Sequence, residues 1–177
     1  MNCKETLRRE MIKRRKAEGK KENGVKITQV IRNLKEYKNA RTVMLYMPIQ
    51  NEIDVTRLMS DDKLFVVPVV DGDNMYPCIT GEMEKGTFGV PEPIDKEVFD
   101  KNKIDVVIVP GVAFDKEFNC MGFGKGYYDK FLEKTNMVKI GICHAFQMLD
   151  GIPSDDRDVK MDIIVTEEDT WRRGSIL

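Results

Sequence analysis

Five short apolar runs do most to limit what this chain can fold into: TVMLYMP (42–48), LFVVPVV (64–70), DVVIVPG (105–111), VKIGICH (138–144) and DIIVTEE (162–168). Each is rich in β-branched residues and apolar nearly throughout, which suits strands buried on both faces in a largely parallel sheet. Helical periodicity fills the intervals. Residues 3–18 carry Leu7, Met11 and Ile12 at helical spacing, and Gly19 ends the run. From Val25 to Tyr37, Ile27, Val30, Ile31, Leu34 and Tyr37 share one face, so a single helix is expected. Two shorter helices are expected at DVTRLM, capped by Asp54, and at GYYDKFLEK. Strands alternating with helices predict an α/β fold: a three-layer sandwich with a central, largely parallel sheet flanked by helices. The 177 residues match the size of one domain, 1–177, and only Glu84–Asp95 reads as a long Gly/Pro-rich loop.

Charge narrows the function classes. The net charge of −1 gives no global field for nucleic acid or an anionic membrane. The first 21 residues nevertheless hold nine basic residues against three acidic ones, so a cationic segment precedes a nearly neutral body. That segment has no interleaved aromatics to stack on bases, which argues against nucleic acid. Cys3, Cys78, Cys120 and Cys143 form no C-x-x-C pair, and with His144 the sole histidine a structural zinc site is not expected. The expectation is a protein with reduced thiols, without signal peptide or membrane span, working in the cytoplasm as a monomer.

Ligands of such sheets bind beyond the carboxyl ends of the strands, where MPIQNE and PGVAFDKEFNCMGFGKG lie. In CMGFGKGYYDKFL, Gly122, Gly124 and Gly126 alternate around Phe123 and Lys125. Bare backbone lets amides approach an oxyanion, Lys125 adds a mobile charge, and Asp129 lies where it can hold Mg²⁺. Alone, the run reads equally well as a glycine turn or a phosphate site. DVKMD offers Asp158 and Asp162 as a second carboxylate, or as simple loop residues. Lys4 and Arg8, four apart, share a helical face and can converge on one polyphosphate. Glu52, beside Met47 and Pro48, is either exposed loop charge or an acceptor for the N–H donors of a ligand ring. His144 is expected to be packed, and no Ser/Cys–His spacing supports nucleophilic hydrolysis.

Together KETLRREM, MPIQNEIDV, PGVAFD, MGFGKGYYDKFL and DVKMDIIVTEE, in this order over nearly the whole chain, resemble the 5-formyltetrahydrofolate cyclo-ligase (methenyltetrahydrofolate synthetase) family. The resemblance implies conversion of 5-formyltetrahydrofolate to 5,10-methenyltetrahydrofolate with MgATP. It implies ATP contacts from Lys4, Arg8, Gly122, Phe123, Gly124, Lys125, Gly126, Tyr127 and Tyr128. Folate contacts would come from Met47, Glu52 and the 123–127 loop, and Mg²⁺ from Asp129 and Asp158. Lys125 would sit nearest the transferred phosphate, with Tyr127 or Tyr128 stacking on the pterin or orienting the formyl group. Arg157 stands where many members have histidine, and Phe123 where others have tyrosine or arginine. A paralogue acting on another small molecule, and a non-catalytic folate- or nucleotide-binding protein, are the rival readings.

Overall fold

The structure, a computed structural model, describes residues 3–174. In chain order it opens with helices α1 (Cys3–Glu18), α2 (Glu22–Asn33) and α3 (Lys35–Asn39), then strands β1 (Thr42–Met44), β2 (Leu64–Asp71) and β3 (Asn74–Ile79). A small hairpin follows, β4 (Met83–Lys85) and β5 (Pro91–Pro93), then β6 (Val106–Pro110), β7 (Ala113–Asp115) and β8 (Cys120–Met121). Helix α4 (Tyr127–Leu132) leads to β9 (Val138–Ile142), β10 (Met148–Leu149), β11 (Ile163–Val165) and β12 (Thr170–Arg172).

All five apolar runs supply strands of one seven-stranded sheet, ordered β12-β11-β9-β6-β1-β2-β3. The five inner strands are parallel; β3 and β12 pair antiparallel at the two edges. One face packs Val43, Ile108, Ile140 and Val165 against Ile27, Ile31 and Tyr37 of α2 and α3. The other packs Met44, Val107, Val109 and Ile164 against Phe114, Phe131 and Leu132, so α4 and the small β10-β7-β8 sheet form the third layer. The α/β sandwich is therefore as expected.

Three local expectations are corrected. The helix over Val25–Tyr37 breaks at Leu34, which is extended (ψ 133°) and lets α3 turn so that Leu34 and Tyr37 are both buried. The break is held from outside, for Tyr37 donates its hydroxyl to Asp61 at 2.8 Å. DVTRLM forms only a 3-10 segment, Thr56–Ser60, because Asp54 accepts from the Thr56 backbone and hydroxyl in a local turn instead of capping an α-helix. Glu84–Asp95 is no open loop: β4 and β5 pair in register within it, with Phe88 at the tip.

The packing between layers is tight at Gly141 in β9, where an added Cβ would come within 2.5 Å of the buried Phe114 ring and 3.0 Å of Met161. Gly141→Ala should therefore destabilise the fold by about 1–3 kcal/mol, lowering Tm by roughly 3–10 °C. Thermal unfolding checks this; an unchanged Tm would mean that Phe114 is free to move.

Candidate active site

One large cleft, of about 1570 Å³, opens beyond the carboxyl ends of the parallel strands. Its walls come from α1, the loop after β1, the ends of β2 and β6, the tip of the β4–β5 hairpin, the 122–126 loop with α4, and residues 155–159. Lys4, Arg8, Met47, Glu52, the whole 122–126 loop, Tyr127, Tyr128, Asp129 and Asp158 all line it.

At one end lie the cations, the glycines and two carboxylates. Arg8 donates Nε–H to the Gly122 carbonyl at 2.8 Å and fixes the glycine loop to α1. Gly124 has φ +95°, and a Cβ there would lie 3.3 Å from the Arg8 guanidinium, so both its conformation and its neighbour favour glycine. Gly126, at φ +68°, turns the chain into α4. That helix has six residues, so its own positive end adds little to the expected phosphate cradle. Lys125 is exposed on the cleft wall.

The metal candidates meet across this end. Asp129 accepts the Val159 N–H at 2.9 Å, and Asp158 accepts the Asp155 N–H at 3.0 Å and the Lys4 ammonium at 3.1 Å. Burial, and the like charge of Asp158, push the Asp129 carboxyl above its usual range. Two carboxylates held near each other by backbone N–H bonds fit a hard divalent cation that takes its remaining ligands from phosphate oxygens and water. No group of three or more such ligands occurs among the described residues, so this pair would not cage an ion alone. Asp162 is not part of it. Its oxygens accept from the Lys139 backbone at 2.9 Å and from Arg173 at 2.7 Å, which ties it to β9 and the end of β12.

At the other end, the backbone reverses after β1 through Gln50 (φ +46°) and Asn51 (φ +62°). Glu52 closes this turn twice, donating its N–H to the Ile49 carbonyl and accepting the Ile49 N–H on Oε2, each at 2.9 Å. Left-handed conformation at two successive side-chain-bearing residues is strained, and such strain concentrates at functional sites. Burial raises the Glu52 carboxyl to about 7, against the pull of the Ile49 N–H and of Arg15. Glu52 is thus a half-buried acceptor, not loose surface charge. Tyr127 donates its hydroxyl to the Gly72 carbonyl of the β2–β3 turn at 3.0 Å, which leaves its ring for a ligand. Tyr128 packs on the core beneath the cleft, its hydroxyl pushed up by burial.

Two lining or supporting residues were not singled out in the sequence. Phe88, 76% exposed at φ +58°, stands at the hairpin tip over the cleft. Arg15 is 2% exposed under the floor. It falls on the Lys4–Arg8–Met11 stripe of α1, so its helical spacing was the available signal. His144 is packed, facing Asn23 at 3.0 Å, and burial lowers its pKa.

Fold and site together define an α/β protein with one large cleft beyond its strand ends, lined by a glycine loop, cations and carboxylates. Relatives specify it further. The sequence profile of the 5-formyltetrahydrofolate cyclo-ligase family matches residues 1–167, and the chain belongs to that family. A probable 5-formyltetrahydrofolate cyclo-ligase of Schizosaccharomyces pombe is 33% identical, over 84% of this chain and 85% of that protein. The NMR structure of Aquifex aeolicus 5,10-methenyltetrahydrofolate synthetase superposes with a TM-score of 0.89 at 31% identity, covering 99% of this chain and 95% of that one. The 5,10-methenyltetrahydrofolate synthetase of Mycoplasma pneumoniae gives 0.76 at 29% identity, covering 94% of this chain and 99% of that one.

Proposed function

We propose that the protein is a 5-formyltetrahydrofolate cyclo-ligase, converting 5-formyltetrahydrofolate to 5,10-methenyltetrahydrofolate with consumption of ATP. The observation that carries this is the two-ended cleft: glycine loop, cations and carboxylate pair at one end, the Met47–Glu52 ring pocket at the other. ATP lies along Lys4, Arg8 and the 122–128 loop. The Met47 wall and the Glu52 carboxylate hold the folate ring, with residues 123–127 between the two ligands. The formyl oxygen takes the γ-phosphoryl group, releasing ADP; N10 then attacks the activated carbon, and phosphate leaves. In phosphoryl transfer the protein chiefly positions reactants and neutralises charge. Lys125 is the mobile cation nearest the transferred group, and Tyr127 presents its ring to the junction. Asp129 and Asp158 would hold Mg²⁺, which supplies charge neutralisation on the phosphates. Lys4, now on Asp158, is placed to turn toward the phosphates when ATP arrives.

This reading needs neither nucleic acid nor a membrane as partner, and we place the reaction in a cytoplasmic monomer. Among the described residues no helix is long and apolar enough to cross a membrane. The test is turnover of 5-formyltetrahydrofolate, followed by the near-ultraviolet absorbance of the methenyl product. Product should require both ATP and Mg²⁺. ATP binding without product would move the assignment to another substrate on the same scaffold, and folate binding without metal-dependent turnover to a binding protein.

A further inference from the structure

Arg15 is among the largest fully buried side chains in the molecule, and it has no counterpart in the mechanism above. A buried guanidinium is costly unless its donors are used. Its donors reach the loops that build the cleft. Nη2 donates to the Gln50 carbonyl at 2.9 Å, inside the left-handed turn that ends in Glu52. Nη1 donates to the Gly111 carbonyl, just beyond β6, at 3.3 Å. The guanidinium carbon lies 5.5 Å from the centre of the Phe123 ring, in the glycine loop. Its Nε has no hydrogen-bond partner among the described residues. One side chain from α1 thus touches the folate turn, the end of a central strand and the phosphate loop.

Those contacts are not needed merely to fill space. Of the two left-handed residues, Asn51 tolerates the conformation and Gln50 does not, so the Gln50 backbone gains most from an outside hold. The bond to the Gln50 carbonyl supplies that hold from the buried interior. Resting on the reading of Glu52 as the folate acceptor, we propose that Arg15 is a positioning residue for folate: it clamps the Gln50–Asn51 turn that carries Glu52.

The proposal has an electrostatic consequence that a packing role lacks. Besides burial, the groups acting on Glu52 are the Ile49 N–H and Arg15 from α1, while Tyr46, just past β1, and Tyr128 from α4 feel its charge in turn. Both tyrosines stay neutral, pushed up by burial, so Arg15 is the only cation that appears among the influences on Glu52. Arg15 is itself faced by His144, which burial keeps neutral. Since burial lifts the Glu52 carboxyl to about 7, the affinity for folate should weaken as pH falls through that value. Removing the Arg15 charge removes a lowering influence, so the limb must move to higher pH.

The experiment measures the affinity for 5-formyltetrahydrofolate by calorimetry, without nucleotide, from pH 6 to 9. Arg15→Gln should raise the limb by about one pH unit, which by itself weakens binding at pH 7.5 by roughly threefold, with a further loss as the turn loosens. Arg15→Lys keeps the cation and loses the two-carbonyl fork, so it should bind more weakly with its limb near that of the wild type. A limb unmoved in Arg15→Gln overturns the proposal even if affinity falls, since that is what lost packing alone would do. Should Arg15→Gln not fold, Arg15→Lys decides: weakened binding with the limb in place supports the clamp, and unchanged affinity overturns it. Wild-type protein that binds no folate would instead overturn the reading of the Glu52 pocket.

Discussion

Asp129→Asn is expected to reduce ATP-dependent formation of the methenyl product by roughly 10²–10³-fold or more, while folate affinity stays within about twofold. The separation follows from where Asp129 sits. It faces Asp158 and Lys4, at the end proposed for the phosphates, and Glu52 is not among the groups acting on it. The substitution is also structurally mild. The asparagine oxygen can still accept the Val159 N–H that Asp129 accepts at 2.9 Å. The neutral amide is relieved of burial and of the repulsion that raise the aspartate carboxyl. What is lost is negative charge where the cation belongs. Kinetics at saturating Mg²⁺, with folate calorimetry in parallel, read the two ends separately. Normal turnover would take Asp129 out of the mechanism.

The second large effect is at Glu52, and it has two opposite parts. Glu52→Gln should weaken folate binding by roughly 10–100-fold, since a charged acceptor of ring N–H groups becomes a neutral one. The same change should stabilise the ligand-free protein at pH 8. A carboxyl raised from 4.5 to about 7 on folding binds more protons folded than unfolded over that range. Its contribution is therefore complete below about 4.5 and is lost as pH rises through about 7. At pH 8 wild-type Glu52 is ionised and half-buried, at a cost on the order of 2–3 kcal/mol, which glutamine avoids. The gain in Tm should shrink toward pH 5. Unchanged folate affinity would remove Glu52 from the pocket; a gain independent of pH would mean that its burial is not what raises it.

How much of this was open to reading along the chain depends on which residues answer to local rules. The inner strands were legible because burial on both faces demands apolar, β-branched runs, and VVIV and IIV satisfy that without help from context. The edge strands were not. NMYPCI holds a proline and PEP two, which are tolerated only where one side of the strand lacks a partner. The glycine loop, Lys4 and Arg8 stood out by residue type, and the fold brings them to one cleft. Arg15 did not, because a charge in a basic helix is ordinarily solvated, and only the packing of α1 over the Gln50 turn takes it inside. Asp162 and Asp158 look alike in DVKMD. A strand begins just after Asp162 and their partners diverge: Asp162 turns to Lys139 and Arg173, Asp158 to Lys4.

Helix α1 is made before the residues that cover it, and part of that cover comes much later. Lys4 meets a carboxylate 154 residues further along, and Arg15 a carbonyl 96 residues away. At about 5–20 residues per second, the helix waits roughly 10–30 s for Asp158 to be synthesised. During that interval Arg15 meets its partners in turn, Gln50 after 35 residues and Gly111 after 96. A nascent chain accordingly lacks the Lys4–Asp158 pair, and with it the full proposed nucleotide site, until residue 158 has been made.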